Sequence, residues 1–260
     1  MQYLRISIVT PSYNQGRFIE QTILSVLNQG YPNFEHIIID GGSTDDTIEI
    51  LKRYPHLKWI SEPDKGPANA INKGFNIATG QIFAYLCSDD LYAEGVFNFI
   101  NSYFQEHLDV DMIYGECYFI DQYNRILRRK KAIPFNRQRL LKYNFIWQPT
   151  VFFRAEVFKR VGPFNEELNY AFDYEWWIRA SFYCNIRAVP KHIAYYRWHI
   201  SSKTVAQESR QLQEAYKVAR KFGGGGIWSW YLHHIYWPKT GNLKRSLFSL
   251  VRRFINRYNK

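Results

Sequence analysis

An α/β fold, with a mainly parallel sheet in the first half of the chain and a mixed α+β second half, is predicted by three observations. Short apolar stretches alternate with helical segments over the first 110 residues, which is the rhythm of a parallel sheet covered on both faces. Three of those stretches end in acids: His36 to Asp40, Leu57 to Asp64, and Gln81 to Asp90. After residue 110 the alternation gives way to hairpin-like and isolated strands.

Each element has a local reason. Leu4 to Thr10 reads as a buried strand, and Pro11-Ser12-Tyr13-Asn14-Gln15-Gly16 as the loop leaving it. Apolar positions 19, 23, 26 and 27 share one helical face. The second strand ends at Asp40, and Ser43 followed by Asp46 resembles a capping box for a helix over 45–53. The third strand ends near Glu62, before a helix over 67–78 that stops near Gly80; the fourth carries Asp89 and Asp90, before a helix over 93–107. Further on, Asp111 to Asp121 and Arg125 to Lys130 read as a hairpin around Gln122-Tyr123-Asn124, and Gln148 to Arg154 as a strand. Asp173 to Tyr183 has helical character, and Ile186 to His199 is strand-like. Residues 1–110 and 111–222 are expected to be two halves of one domain, the second completing a pocket begun by the first. Gly223 to Gly226 reads as a flexible break before a tail, 223–260, that ends in a basic amphipathic helix. In it Leu243, Leu247, Leu250, Val251, Phe254, Ile255 and Tyr258 fall opposite Arg245, Arg252, Arg253, Arg257 and Lys260. Such a helix suits an anionic membrane surface or docking on its own domain.

The chain of 260 residues carries a formal charge of +11, from 34 basic and 23 acidic residues, which favours anionic partners. No recognition-helix or zinc-finger pattern supports a nucleic-acid binder. Cys87, Cys117 and Cys184 lie far apart, with neither metal-knuckle spacing nor an even count, which suits a reducing cytosol. No apolar run reaches the ~18 residues needed to cross a bilayer, and a strand begins almost at once with no signal-peptide pattern ahead of it. A cytoplasmic protein, peripheral on the inner face of the cell membrane through its tail, is the expectation.

Strands of one parallel sheet deliver their endings to one rim, where open α/β folds bind ligands. Asp40, Asp64, Asp89 and Asp90 would then crowd together, and such a cluster repels itself unless a cation or a hydrogen-bonding ligand sits there. Paired carboxylates suit Mg²⁺ or Mn²⁺, hard ions that share oxygen ligands with substrate phosphates.

Four motifs in order, Ser7-Ile-Val-Thr-Pro-Ser-Tyr-Asn14, Ile39-Asp-Gly-Gly-Ser-Thr-Asp-Asp-Thr47, Glu62-Pro-Asp-Lys-Gly66 with Asn69 to Gly74, and Ser88-Asp-Asp90, resemble the nucleotide-sugar-binding half of family 2 glycosyltransferases, which have the GT-A fold. The resemblance implies that Thr10, Pro11 and Tyr13 line a base pocket, that Asp40 and Asp64 accept hydrogen bonds from the base or ribose, and that Asn69 belongs to the same donor site. It further implies that Asp90 coordinates a divalent metal and that Asp89 serves the ribose, the donor sugar or the metal. Phe172-Asp-Tyr-Glu-Trp-Trp-Ile-Arg179 is similar to the segment that supplies the catalytic base. By register Asp173 takes that place, with Glu175 also open. Tyr195-Tyr-Arg-Trp-His199 resembles a segment whose histidine approaches the metal or diphosphate, so His199 is a metal candidate. Arg197-Trp198 resembles the end of the signature of processive synthases, but Ala194 stands where that signature has glutamine. Trp147, Gln148, Trp176 and Trp177 are candidates for the acceptor pocket or for the core.

The function this implies is metal-dependent, inverting and non-processive transfer of a sugar from a uridine- or thymidine-linked donor to a hydroxyl of a glycan or lipid-linked acceptor, in surface polysaccharide biosynthesis. A sugar-phosphate nucleotidyltransferase would show a glycine-rich, basic loop after the first strand, which Pro11 to Asn14 is not. A non-catalytic, Mg²⁺-binding receiver-like domain would be about half this length and lack the segment around Asp173.

Overall fold

The structure, a computed structural model, describes residues 3–199 and 207–224. Strands β1 (Ile6–Ser12), β2 (Phe34–Asp40), β3 (Leu57–Ser61) and β4 (Ile82–Tyr85) pair in parallel in the order β3-β2-β1-β4. Helices α1 (Ile19–Leu27), α2 (Thr47–Lys52) and α3 (Pro67–Ile77) connect them, and α4 (Val96–Glu106) follows β4 and the two-residue strand β5 (Leu91–Tyr92). The same sheet continues through β8 (Val151–Arg154), β6 (Met112–Ile120) and β9 (Ile186–Arg197) to β5, and β7 (Ile126–Lys130) adds to β6 as a hairpin partner. Because β8 is antiparallel to both β4 and β6, and β9 is parallel to β6, strands β1, β2, β3, β4, β6 and β9 all run the same way. Their carboxyl ends share one rim. Both halves of the chain contribute to it.

The alternation of side chains explains why these apolar runs are strands. Val9, Ile37 and Ile39 enter one hydrophobic cluster with Phe75 of α3 and Phe153 of β8, whereas their neighbours Ile8 and Ile38 face the clusters on the opposite side. Continuous apolar runs are what a sheet buried on both faces requires. Gly74 of α3 lies so close to Val9 that a Cβ there would collide with its side chain, so α3 packs directly on β1. At the opposite edge from the rim, buried Glu35 accepts hydrogen bonds from Ser7 Oγ (2.5 Å), Lys58 Nζ (2.7 Å) and Thr79 N (2.7 Å), binding β1, β2, β3 and the α3–β4 turn together. Burial alone would raise this carboxyl, but the bonds from Lys58, Ser7 and Thr79 overrule it and hold it down at about 2.

Three expectations need adjustment, and a fourth, open between pocket and core, is decided. The fourth strand stops at Tyr85, and Asp89 and Asp90 sit in a turn closed by Asp90 N–H on the Cys87 carbonyl (3.0 Å). Ser43 does not cap α2; its hydroxyl donates to Asp40, and Asp45 takes the Thr47 N–H (3.0 Å) instead. Residues Gln148–Thr150 form a 3₁₀ turn rather than the start of β8. Trp176 and Trp177, on α7 (Phe172–Ala180), are fully buried in the core instead of lining a pocket, and Trp176 Nε1 donates to the Gly162 carbonyl (2.8 Å).

The helices α5 (Arg137–Leu140), α6 (Ala155–Val161) and α8 (Glu208–Lys221) complete the fold. After α8, Gly223 adopts φ +78° and Gly224 N–H bonds the Ala219 carbonyl (2.8 Å), with Leu141 packed where a side chain would be. These two glycines form a packed helix end, not a loose linker. The amphipathic segment 243–258 lies outside the described residues.

Candidate active site

The loop after β1 and the loop after β2 clamp each other. Asn14 N–H donates to Ser43 Oγ (2.7 Å), and Asn14 Oδ1 accepts from Thr44 N–H (2.8 Å). Asn14 has φ +51°, which its short polar side chain tolerates better than most. Asp40, fully buried, accepts from Gly42 N (3.1 Å), Ser43 N (2.8 Å), Ser43 Oγ (2.5 Å) and Ser61 Oγ (2.7 Å). An ionised carboxylate offers about four acceptor sites, so Asp40 is engaged in shaping the loop rather than open toward a base. Asp64 packs over Gly41, close to the Tyr13 ring, and accepts from Gly66 N–H (2.7 Å). Tyr13 is 60% exposed, ready for a flat ligand to stack on it, and Pro11 is buried beneath that loop. Thr10 points the other way: its hydroxyl meets His36 Nε2 (2.9 Å) inside the sheet's covered face, and burial pushes that imidazole down to about 3. Its side chain contacts no open pocket.

Asn69, at the start of α3, donates to Glu166 (2.9 Å), and Asn72 donates to the same carboxylate (2.9 Å) and to the Phe164 carbonyl (2.9 Å). The pair fastens the α6–α7 connection to the donor half.

The turn holding Asp89 and Asp90 is supported from below. Arg197, at the end of β9 and 1% exposed, donates its N–H to Asp90 Oδ1 (2.8 Å) and its Nε to the Asp89 carbonyl (2.7 Å). Its remaining nitrogens reach the Asp121 carbonyl (3.1 Å), Asn124 Oδ1 (2.6 Å) and Gln21 Oε1 (3.0 Å). His199 Nε2 lies 3.0 Å from Asp89 Oδ2, its ring against Phe18. Ligand atoms of Cys87, Asp89 and Asp90 lie within 4.8 Å of one another. Burial first, and then the charge of Asp89, raise the Asp90 carboxyl well above its usual range. Two hard oxygen donors that mutually repel fit a divalent cation such as Mn²⁺ or Mg²⁺. The Cys87 thiol is the softer neighbour and donates to Gln148 Oε1 (3.6 Å).

Tyr85 joins this turn to the second half. Among the described residues its buried hydroxyl has no hydrogen-bond partner, and burial, then the charges of Asp173, Cys87 and Asp90, push it far up. Asp173, in the first turn of α7, is itself raised to about 6, by burial. That value suits a general base at neutral pH, mostly ionised yet more basic than an ordinary carboxylate. The adjacent Glu175 is committed elsewhere, held by Arg179 Nε (2.9 Å) and Nη2 (2.9 Å), with Arg179 also donating to the Val161 and Pro163 carbonyls. Asp173 accepts the Tyr174 N–H (2.6 Å) and, unlike Glu175, has no ion pair among the described residues.

Glu214 of α8 was not singled out by sequence. Its carboxylate accepts from Asn169 N (3.2 Å), Tyr170 N (2.7 Å) and Ala171 N (2.7 Å), capping the amino end of α7, and its charge adds to the upward shift of Asp173. Glu214→Gln keeps an acceptor but removes the charge. The acid limb of the pH–rate profile is expected to move down by a few tenths of a unit, with a small loss of thermal stability; an unmoved limb would separate Glu214 from the base. Arg197 was seen only as part of a motif fragment, and nothing local in sequence announces its five bonds. Trp147 is half-buried at the rim beside Lys130 and Phe119, with Trp198 exposed nearby.

The chain is similar to known proteins in sequence and in fold. An uncharacterized glycosyltransferase of Haemophilus influenzae is 29% identical over 234 residues, covering 83% of this chain and 72% of that protein. A PGL/p-HBAD biosynthesis glycosyltransferase of Mycobacterium bovis is 30% identical over 179 residues, covering 66% of this chain and 68% of that protein. Among solved structures, S. aureus TarS in complex with UDP-GlcNAc superposes with TM-score 0.66 at 20% identity, covering 84% of this chain and 66% of that one. A mannosyltransferase from Pyrobaculum calidifontis, in complex with GDP-Man and Mn²⁺, gives 0.65 at 20% identity, covering 86% and 66%. The chain thus spans just under two thirds of these solved structures, and the likeness establishes the GT-A fold. The model described as "Glycosyl transferase family 2" matches residues 7–162, more than half of the chain. The chain belongs to glycosyl transferase family 2.

Proposed function

We propose that the protein is an inverting, metal-dependent glycosyltransferase that moves a single sugar from a uridine- or thymidine-linked nucleotide sugar to a hydroxyl of a glycan or lipid-linked acceptor. The observation that carries the reading is the rim itself. Six strands running one way bring Asp64, Asp89 and Asp90 to one edge, with the raised carboxyl of Asp173 across the buried Tyr85 hydroxyl from them. The nucleotide-sugar complexes of TarS and of the Pyrobaculum enzyme, the latter with Mn²⁺, support the donor class and the ion.

Tyr13 stacks on the base, while Asp64 accepts from the base or ribose and Asp40 holds the loop that shapes the pocket. Asp90 and Asp89 would hold the divalent ion, with His199 orienting Asp89. When bound, the ion neutralises the diphosphate and the charge that develops as it departs. Arg197 keeps both aspartates in place as that charge changes. Asp173 takes the proton from the acceptor hydroxyl while that oxygen attacks the anomeric carbon opposite the leaving diphosphate, which inverts the configuration. Trp147 and Gln148 flank the side from which the acceptor enters. The product feeds assembly of a surface polysaccharide or glycolipid precursor on the cytosolic side of a membrane.

The test is a panel of nucleotide sugars with Mn²⁺ or Mg²⁺, read by transfer to a hydroxylated acceptor and by slow donor hydrolysis, with the anomeric configuration of the product assigned by NMR. One donor consumed only with metal, giving an inverted linkage, is expected. Retention of configuration, or no consumption of any donor, would defeat the reading.

A further inference from the structure

The β6–β7 hairpin stands out from the rest of the surface. Among the described residues β7 pairs only with β6, so it is an edge strand. An exposed edge is ordinarily guarded by polar and charged side chains, yet here Tyr123, Ile126 and Leu127 are 66%, 50% and 56% exposed. Around them, residues 121–131 hold five cations and one acid, Asp121, which pairs with Arg125 (2.6 Å). Apolar side chains at the tip with a dense basic flank match the chemistry of an anionic lipid interface: the apolar groups enter the headgroup boundary and the cations meet the lipid phosphates. A soluble polyanion would use the cations but has no use for Ile126 and Leu127. A second copy pairing along this edge would set two basic strands side by side.

The hairpin is also rigidly tied to the site. Asp121 accepts from Tyr123 N (2.8 Å), Arg125 N (3.0 Å) and Arg125 Nε (2.6 Å), which fixes the turn. Arg197 bonds the Asp121 carbonyl and Asn124 Oδ1, the same guanidinium that reaches the Asp89 carbonyl, and Arg17 Nη2 donates to Gln122 (2.7 Å). A surface held by the tip would therefore stand at a set distance from the turn of Asp89 and Asp90.

We propose that the β6–β7 hairpin is a membrane-docking edge, seating the protein on an anionic bilayer through Tyr123, Ile126, Leu127 and the cations of residues 125–131, so that the active-site mouth faces lipid-linked substrates. The proposal stands on the hairpin alone and is independent of the tail.

The full chain is sedimented with vesicles of equal parts phosphatidylglycerol and phosphatidylcholine, and with vesicles of phosphatidylcholine only. Wild type is expected to bind the anionic vesicles and not the neutral ones. Ile126→Ser with Leu127→Ser, which leaves the charge unchanged, is expected to weaken vesicle binding about fivefold or more while leaving binding to heparin unaltered. Arg128→Glu with Arg129→Glu is expected to weaken both, vesicle binding by at least about tenfold, since each surface cation contributes about fivefold. Both variants keep the wild-type unfolding temperature. Sedimentation of either variant like wild type, equal binding to neutral vesicles, or no sedimentation of wild type would overturn the proposal. So would an equal loss of heparin binding in the serine variant, which would make the edge a polyanion site.

Discussion

Asp90→Asn is expected to remove the proposed metal-dependent donor binding and to lower transfer by about 100-fold or more, with the protein still folded. Asparagine keeps an oxygen for the Arg197 N–H, now 2.8 Å from Asp90 Oδ1, so the β9 contact survives. What disappears is the negative charge, in a position that is 1% exposed. Burial and the neighbouring Asp89 disfavour that charge more than the Arg197 contact favours it, so its removal is expected to cost little stability. Equilibrium binding of a nucleoside diphosphate with and without Mn²⁺, together with an unfolding curve, checks both halves. An asparagine variant that still binds donor more tightly with Mn²⁺ would exclude Asp90 as a ligand.

Asp173→Asn is expected to lower kcat by about 10²- to 10⁴-fold with donor affinity unchanged, since the base acts on the acceptor hydroxyl. Its stability effect has the opposite sign. The folded-state pKa of Asp173 is raised to about 6, by burial, from an ordinary value of 3.8. The native state therefore favours the protonated form, and the stability associated with it is complete below about pH 4 and lost as pH rises through about 6. Above that, the ionised carboxylate weakens the fold by at most about 3 kcal/mol. The asparagine variant should thus unfold at higher temperature than wild type at pH 8, with the two converging near pH 4. In wild type the rate should rise with pH through about 6. A variant with an unchanged rate, or one that loses donor binding as well, would place the base elsewhere.

The donor half was legible in the sequence because its signals are local. The runs ending at Asp40 and Tyr85 are mostly apolar, as a doubly covered sheet demands, whereas the edge run ending at Glu62 mixes apolar and polar residues, and the turns between them carry glycines. One geometric step then follows from parallel pairing: strands that run together end together. The rest was hidden where the cause is tertiary. Thr10 lies in a motif that suggests a ligand, but the two-residue period of β1 turns it toward His36, and the same period sends Val9 the other way. Trp176 and Trp177 lie just after Asp173 in the sequence, yet on a helix their positions face the core. The α8 helix has an amphipathic period, with Val218 and Ala219 among its buried side chains, but a period does not show what the polar face contacts. Its role depends on Glu214 reaching a helix end over forty residues away in sequence. Glu175 and Asp173 are separated by one residue between them, and only the Arg179 contact tells them apart.

The basic charge of the chain also has a physical location. Part of it lies on the hairpin edge, and the buried part, Arg197, lies under the aspartate turn. These two populations act differently: exposed cations attract an anionic partner and are screened by salt, whereas Arg197 is sealed from solvent and holds geometry. Raising ionic strength should therefore weaken surface association while leaving the donor site intact.

The most direct measurement of the central claim is diffraction from a crystal soaked with UDP and Mn²⁺. The account predicts an anomalous manganese peak coordinated by Asp90 or Asp89 and by the diphosphate, with the base beside Tyr13 and Asp64. Manganese and diphosphate bound away from this rim, or a rim left without either at saturating concentration, would contradict it.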